Sequence, residues 1–289
     1  MEKVIIEVGS TCTKVELYDG ENVKRIGNHT IEFKRNYKKE NKLNENDVKR
    51  LIDCVKELEV KYNNIYICGT SVFRTLTPEQ KSEFLTLFNE ETGIEFDIID
   101  PEKENNLTVI GATQKVKDKV AVFVGGGGST EIAIYENGIK EMVNTPIGVM
   151  DAMSKFPDLG DDLATTDVED VKKYVKENLK LPKQKADTLI LAGGGHLFFA
   201  LNSGVKYEKN TLYNDELEPI MMDIETRKSE TTRYYKEISL DEIRSRVEDP
   251  NWWYATRAMC AFALVVAEEI GAKYIVPTDI TMVYGLLDK

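Results

Sequence analysis

Val120 to Glu131 reads VAVFVGGGGSTE: an apolar run enters four consecutive glycines, Gly125 to Gly128, and leaves through Ser129 and Thr130 into the alternating Ile132, Ala133, Ile134 and Tyr135. The pattern is strand, turn, strand. Glycines in series remove every Cβ from the turn, so the backbone is free to take positive φ and to aim successive N–H groups into one concavity that holds phosphate oxygens. A plain tight hairpin accounts for the same residues, so a second feature has to decide.

That feature is a repeat. Val4 to Gly20, VIIEVGSTCTKVELYDG, has the same layout of apolar strand, Gly-Ser/Thr turn and alternating strand. Asp19-Gly20 in the first copy answers Asn137-Gly138 in the second, and both read as two-residue type I′ turns. Gly9 lies 117 residues before Gly126, and Gly20 lies 118 before Gly138. Two landmarks at nearly one offset imply a duplicated module. A looser third pair is Ile65 to Cys68 running into Gly69-Thr70-Ser71, against Leu189 to Ala192 running into Gly193 to Gly195. The expected fold is therefore α/β, with two duplicated RNase H-like lobes over residues 1–118 and 119–289 and a ligand cleft between them. That is the actin-like ATPase architecture.

The rest of the chain fits such lobes. With 289 residues and 42% hydrophobic content, two cores can be built. Met1-Glu2-Lys3 leads straight into a strand with no signal-peptide pattern, and Ala258 to Ala267 falls short of the about 20 apolar residues that cross a bilayer. A cytoplasmic protein without membrane contact is expected. The net charge of −12 repels polyanions at long range, which excludes non-specific nucleic-acid binding. Four scattered cysteines and two histidines form no zinc pattern and no disulfide framework. Helical spacing marks Asp47 to Tyr62. Thr77-Pro78-Glu79-Gln80 opens a helix that Gly93 stops, and a capping box at Thr166 to Glu169 opens another. Arg257 to Ile270 is an apolar helix. Ser203 to Tyr235 shows little periodicity and reads as a loop or partial lid, and His196 reads as a hydrogen-bonding residue at a helix start.

The motifs also resemble a known family. Gly126-Gly127-Gly128-Ser129-Thr130-Glu131 is similar to the GGGSTE of exopolyphosphatases and guanosine pentaphosphate phosphohydrolases, the Ppx/GppA family. Thr70-Ser71-Val72-Phe73-Arg74 resembles its TS-x-x-R, and Pro146-Ile147-Gly148 and Ile275-Val276-Pro277-Thr278-Asp279 match in order. Ile99 to Leu107 aligns with its I-S-G-x-E-E-A-R-L. The resemblance implies hydrolysis of a phosphoanhydride in inorganic polyphosphate or a guanosine pentaphosphate-like nucleotide. By register it makes Glu104 the base that activates water, with Glu102 as the neighbouring alternative. Arg74 and Lys14 become charge clamps. Gly9, Ser10, Thr11, Gly126, Gly127, Gly128, Ser129 and Thr130 become the phosphate cradle. Glu131 with Glu7 is what the resemblance leaves for Mg²⁺. The expected partner is a small polyanion, and a homodimer is the assembly carried forward.

The chain departs from the family pattern at four places. Asn106 replaces an Arg. Glu7 and Val124 stand where both hairpin loops carry Asp, so a weak metal site is expected. Ile280-Thr281-Met282-Val283 replaces a closing GGLR. These losses support a second reading, a sensor that binds such ligands without turning them over. A third is an actin-like ATP-binding activator, which the Gly9-Ser10-Thr11-x-Thr13-Lys14 loop resembles.

Overall fold

The computed structural model describes residues 2–9, 12–31, 33–193, 195–202, 208–209, 220–245 and 254–287. Contacts divide the chain into two compact units, Met1–Glu104 and Asn105–Lys289.

The first unit is built on strands β1 (Lys3–Val8), β2 (Cys12–Tyr18), β3 (Val23–Thr30), β4 (Ile65–Gly69) and β5 (Phe96–Ile98), in the order β3-β2-β1-β4-β5. β1 runs antiparallel to β2 and parallel to β4. Its helices are α1 (Phe33–Glu40), α2 (Glu45–Glu59) and α3 (Pro78–Thr92), with a 3₁₀ turn at Ser71–Thr75. Alternation along the strands sends Val4, Ile6, Val8 and Val15 to one face, where Leu51 and Val55 of α2 and the rings of Phe73, Phe84, Phe88 and Phe96 complete a core. The other face of the same strands carries Ile5, Glu7, Lys14, Glu16, Tyr66 and Cys68, and is largely polar. α3 starts as the sequence predicts: Thr77 and Gln80 form a reciprocal capping box, and Gly93 ends the helix at φ +68°. α2 begins two residues early, because the Asn44 side chain accepts from Asn46 and Asp47 N–H.

The second unit has β6 (Val120–Gly125), β7 (Thr130–Tyr135), β8 (Ile139–Thr145), β9 (Thr188–Ala192), β10 (Glu208–Lys209), β11 (Ile220–Asp223) and β12 (Tyr274–Pro277), ordered β10-β11-β12-β9-β6-β7-β8. Five of these, β8-β7-β6-β9-β12, repeat the order and directions of the first sheet. The duplication holds to the residue. Val8 pairs with Thr13 and Gly125 with Thr130. Gly9 N–H donates to Cys12 O, and Gly126 N–H to Ser129 O, both at 2.9 Å.

Around this sheet lie α4 (Pro101–Thr113), which spans the boundary of the units, then α5 (Val149–Lys155), α6 (Val168–Asn178), α7 (His196–Asn202), α8 (Ile224–Lys236), α9 (Leu240–Arg244), α10 (Thr256–Ile270) and α11 (Met282–Leu286). α5, α6 and α10 cover the face bearing Ala121, Phe123, Ile132 and Leu189. Val109 and Ala112 of α4 cover the face bearing Val120, Val122, Ala133 and Ile190. Gly285 of α11 lets that helix meet α4, since a Cβ there would stand 2.1 Å from Leu107 O. Arg257 is fully buried and spends each of its N–H groups on a main-chain carbonyl, those of Leu159, Asp161, Asp162, Tyr234 and Ile238.

Three expectations need correction. Asn137 and Gly138 both have positive φ, as a type I′ turn requires, but of Asp19 and Gly20 only the glycine does. Asp19 instead accepts from the N–H groups of Glu21 and Asn22, which widens the loop to four residues. The α6 cap is Asp167, while Thr166 is held by Asp158. Within the described part of Ser203 to Tyr235 there is a regular helix, α8. Its buried face consists of Arg227, Glu230, Thr231, Tyr234 and Tyr235, so the apolar periodicity that marks most helices is missing.

Candidate phosphate-binding site

The loop from Gly125 to Thr130 is fixed from behind. The first N–H groups of a helix lack partners within it, and those of Val149 and Met150 at the start of α5 donate to Gly126 O and Gly127 O at 3.1 and 2.9 Å. Asp151 accepts from Gly148 N–H at 2.8 Å, and the Thr130 hydroxyl donates to Ile147 O at 2.9 Å. A Cβ on Gly148 would lie 2.3 Å from Gly126 O and 2.6 Å from Gly128 N. Only glycine allows that approach. With two loop carbonyls committed to α5, the N–H groups of Gly127, Gly128 and Ser129 find no partner among the described residues, and Gly127 and Gly128 are exposed. Three successive main-chain donors on an exposed loop are the kind of group that can meet an anion.

The reason for the glycines differs from the one expected. None of Gly125 to Gly128 has positive φ. At Gly125 the requirement is for space, since a Cβ would stand 2.7 Å from Met259 Sδ and 2.7 Å from Phe123 Cζ, whereas one on Gly128 would meet nothing within 4 Å.

In the first hairpin, Glu7 and Lys14 face each other across β1 and β2 with Nζ and Oε1 3.5 Å apart. The other Glu7 oxygen is buried without a partner. The equivalent pair in the second hairpin is Val124 and Glu131. Glu131 is buried at 5% exposure, and Val124 packs on Gly193, where a Cβ would meet it at 2.8 Å. Gly9 is in place at the turn, while Ser10 and Thr11 lie outside the described residues.

Arg74 lies in the 3₁₀ turn after β4. Its Nε–H donates to Ile99 O at 2.8 Å, and its Nη2 pairs with Glu104 Oε2. Gly69 makes room for this turn, since a Cβ there would lie 2.5 Å from the Phe96 ring. The side chains of Arg74 and Glu104 are 22% and 30% exposed. Two residues thirty positions apart, singled out by separate motifs, are thus one ion pair with an open side.

The sequence profile of the Ppx/GppA phosphatase family matches residues 23–242. The chain belongs to this family. Among solved structures, a Ppx/GppA phosphatase of Aquifex aeolicus, in its type II variant, superposes with a TM-score of 0.75 at 19% identity over 99% of this chain and 98% of the other. An exopolyphosphatase from Cytophaga hutchinsonii gives 0.68 at 17% identity over 100% and 98%. Nucleoside triphosphate hydrolases from Neospora caninum give 0.55 at 10% identity over 99% and 92%. At these identities the likeness is one of fold. A sequence comparison with curated proteins finds no match.

As a Ppx/GppA member the chain fits Mg²⁺ poorly. Among the described residues no group of three or more His, Cys, Asp or Glu side chains is placed to hold a metal ion. One Glu7 oxygen is already beside an ammonium, and Glu131 is opposed by a hydrocarbon.

The closing motif makes hydrogen bonds within the second unit. Thr278 donates to Leu191 O at 2.7 Å, and Asp279 accepts from Leu197 N–H at 3.0 Å, which ties β12 to β9 and caps α7. His196 starts α7 as expected, but its Nε2 is buried without a hydrogen-bond partner. The sequence reading quoted Gly148 as a motif without its role, and missed Asp151. A Gly-x-x-Asp spacing directly after a strand was the available signal. Among the described residues, no helix is long and apolar enough to cross a membrane.

Proposed function

We propose that this Ppx/GppA protein hydrolyses the terminal phosphoanhydride of inorganic polyphosphate or of a guanosine pentaphosphate-like nucleotide. The observation that carries the reading is the loop of Gly127, Gly128 and Ser129, whose N–H groups have no partner among the described residues while α5 holds the carbonyls of Gly126 and Gly127. Backbone donors recognise phosphate oxygens without regard to what the phosphate is attached to. Arg74 and Lys14 supply the positive charge that an overall charge of −12 does not. The Glu104 carboxylate, oriented by Arg74, accepts a proton from the attacking water. The new P–O bond forms as the bridging P–O bond breaks, and the bridging oxygen keeps the electron pair. No step runs through Mg²⁺: were it bound, Glu7 in the first unit or Glu131 in the second would be the acidic group left to hold it, and it would supply charge neutralisation.

A second reading has its own support. Val124 opposite Glu131 removes the acidic partner in one hairpin, which favours a sensor that binds phosphate chains without cleaving them. A phosphate-release assay with Mg²⁺ across polyphosphate, guanosine pentaphosphate and ATP separates the two. Release from either of the first two supports the hydrolase. Tight binding without release supports the sensor.

A further inference from the structure

On the polar face of the first unit's sheet, Asp97 and Tyr66 lie outside every family motif yet join a network that reaches one. Asp97, on β5, accepts through Oδ2 from the Tyr66 hydroxyl at 2.7 Å and from Lys103 Nζ at 3.2 Å. Burial alone would raise the Asp97 carboxyl, but the hydrogen bonds from Tyr66 and Lys103 outweigh it and hold the group below its ordinary range. Lys103 lies in the first turn of α4, and its own N–H is capped by Asp100 Oδ1 at 2.8 Å. The next residue is Glu104, whose carboxylate meets Arg74, and Arg74 is tied in turn to Ile99 O just before the helix. Side chains of successive helical residues point about 100° apart around the axis. The turn is therefore held on one side by Asp97 and on another by Arg74.

We infer that Asp97 is a positioning residue for Glu104, acting through Lys103 as a brace against rotation of the first turn of α4. The inference rests on the role of base given to Glu104 above. Lys103 and Asp97 are 48% and 39% exposed, so their attraction adds little to stability. Its effect is on direction. Placement errors of about 1 Å at a reacting group cost up to roughly 10²-fold in rate.

The test compares wild type with Asp97→Asn, with Tyr66→Phe, and with the reversed pair Asp97→Lys plus Lys103→Asp. Phosphate release from inorganic tripolyphosphate is followed together with the NMR signal of the Arg74 Nε–H group, which reports the Arg74 contacts without any turnover. Asp97→Asn is expected to lower kcat about tenfold with KM changed less than about twofold, and to shift or broaden the Arg74 signal. Tyr66→Phe gives a smaller change in the same direction, and the reversed pair recovers most of the loss. Wild-type kcat and an unmoved Arg74 signal in Asp97→Asn overturn the brace, as does a loss that the reversed pair does not recover. If the wild type releases no phosphate, the hydrolase reading fails on its own, and the Arg74 signal alone decides whether the brace exists.

Discussion

The two hairpins share a register to the residue and differ in chemistry. At the same pair of positions the first has Glu7 and Lys14, charged and adjacent, while the second has Val124 and Glu131. Behind the second turn α5 locks the carbonyls and leaves main-chain donors outward, and Thr130 anchors the arrangement through Ile147. Behind the first, the equivalent hydroxyl of Thr13 is buried without a partner. One copy of the module contributes side-chain charge, with Arg74 and Glu104 nearby in the same unit. The other contributes a rigid backbone. Duplication gives two scaffolds, and divergence puts a charged side-chain pair on one hairpin and a helix-held main-chain loop on the other.

This division of labour can be broken at several points. Glu104→Gln keeps the size of the base and removes its basicity. Turnover should fall by roughly 10²-fold or more while ligand affinity changes little, and equal phosphate release from variant and wild type would place the chemistry elsewhere. Gly148→Ala attacks the backbone copy. The added Cβ pushes on Gly126 O and Gly128 N, with an overpacking cost on the order of 2 kcal/mol. Phosphate binding measured by calorimetry should weaken about tenfold or more, and unchanged binding would show that the loop is not the cradle.

Acid should distinguish the units. Burial, aided by the positive charge of Arg227, pushes the His196 imidazole in the second unit down to about 3. The unfolded chain takes up the proton near the ordinary value of about 6.5, so the contribution to stability is complete above that pH and is lost as pH falls towards 3. The loss runs at up to about 1.4 kcal/mol per pH unit. The first unit's histidine, His29, stands exposed on β3. Urea unfolding at pH 7 and pH 5.5 should show the second unit weakening, with the difference much reduced in His196→Gln. The smallest effect is expected from Val124→Asp, which gives the second hairpin an acidic residue at the position Glu7 holds in the first. Apparent Mg²⁺ affinity and phosphate release should rise several-fold, roughly 1 kcal/mol. A folded variant that gains neither favours the sensor.

The fold was legible because duplication left its marks in the backbone. Gly9 and Gly126 punctuate both copies, and hairpin landmarks survive even when side chains change. The matched family profile begins at Val23, after the first hairpin, so the internal repeat is what brings Gly9 and Lys14 into view. Helix α8 was not legible, because Arg227 and Glu230 occupy its buried face and pair with each other there. The site was legible in part. Glu104 and Arg74 could be named from their motifs, but not their contact, since nothing local links residues thirty apart. The purpose of Gly125 and of Gly148 was hidden for the same reason: the demand comes from Met259 and from the approach of Gly148 to Gly126, which only tertiary packing brings close.

Arg257 has a consequence for how this chain can vary. Its guanidinium holds two separate stretches, Leu159 to Asp162 and Tyr234 to Ile238, and touches only their carbonyl oxygens. Every residue type has that oxygen, so the identities of the side chains along both stretches are free to drift with little penalty from this contact. The arginine has no such freedom. A lysine has three donors for five acceptors, and two buried carbonyls would be left unanswered. Among relatives, one invariant arginine beneath stretches that vary only as their own packing allows would be the mark of this arrangement.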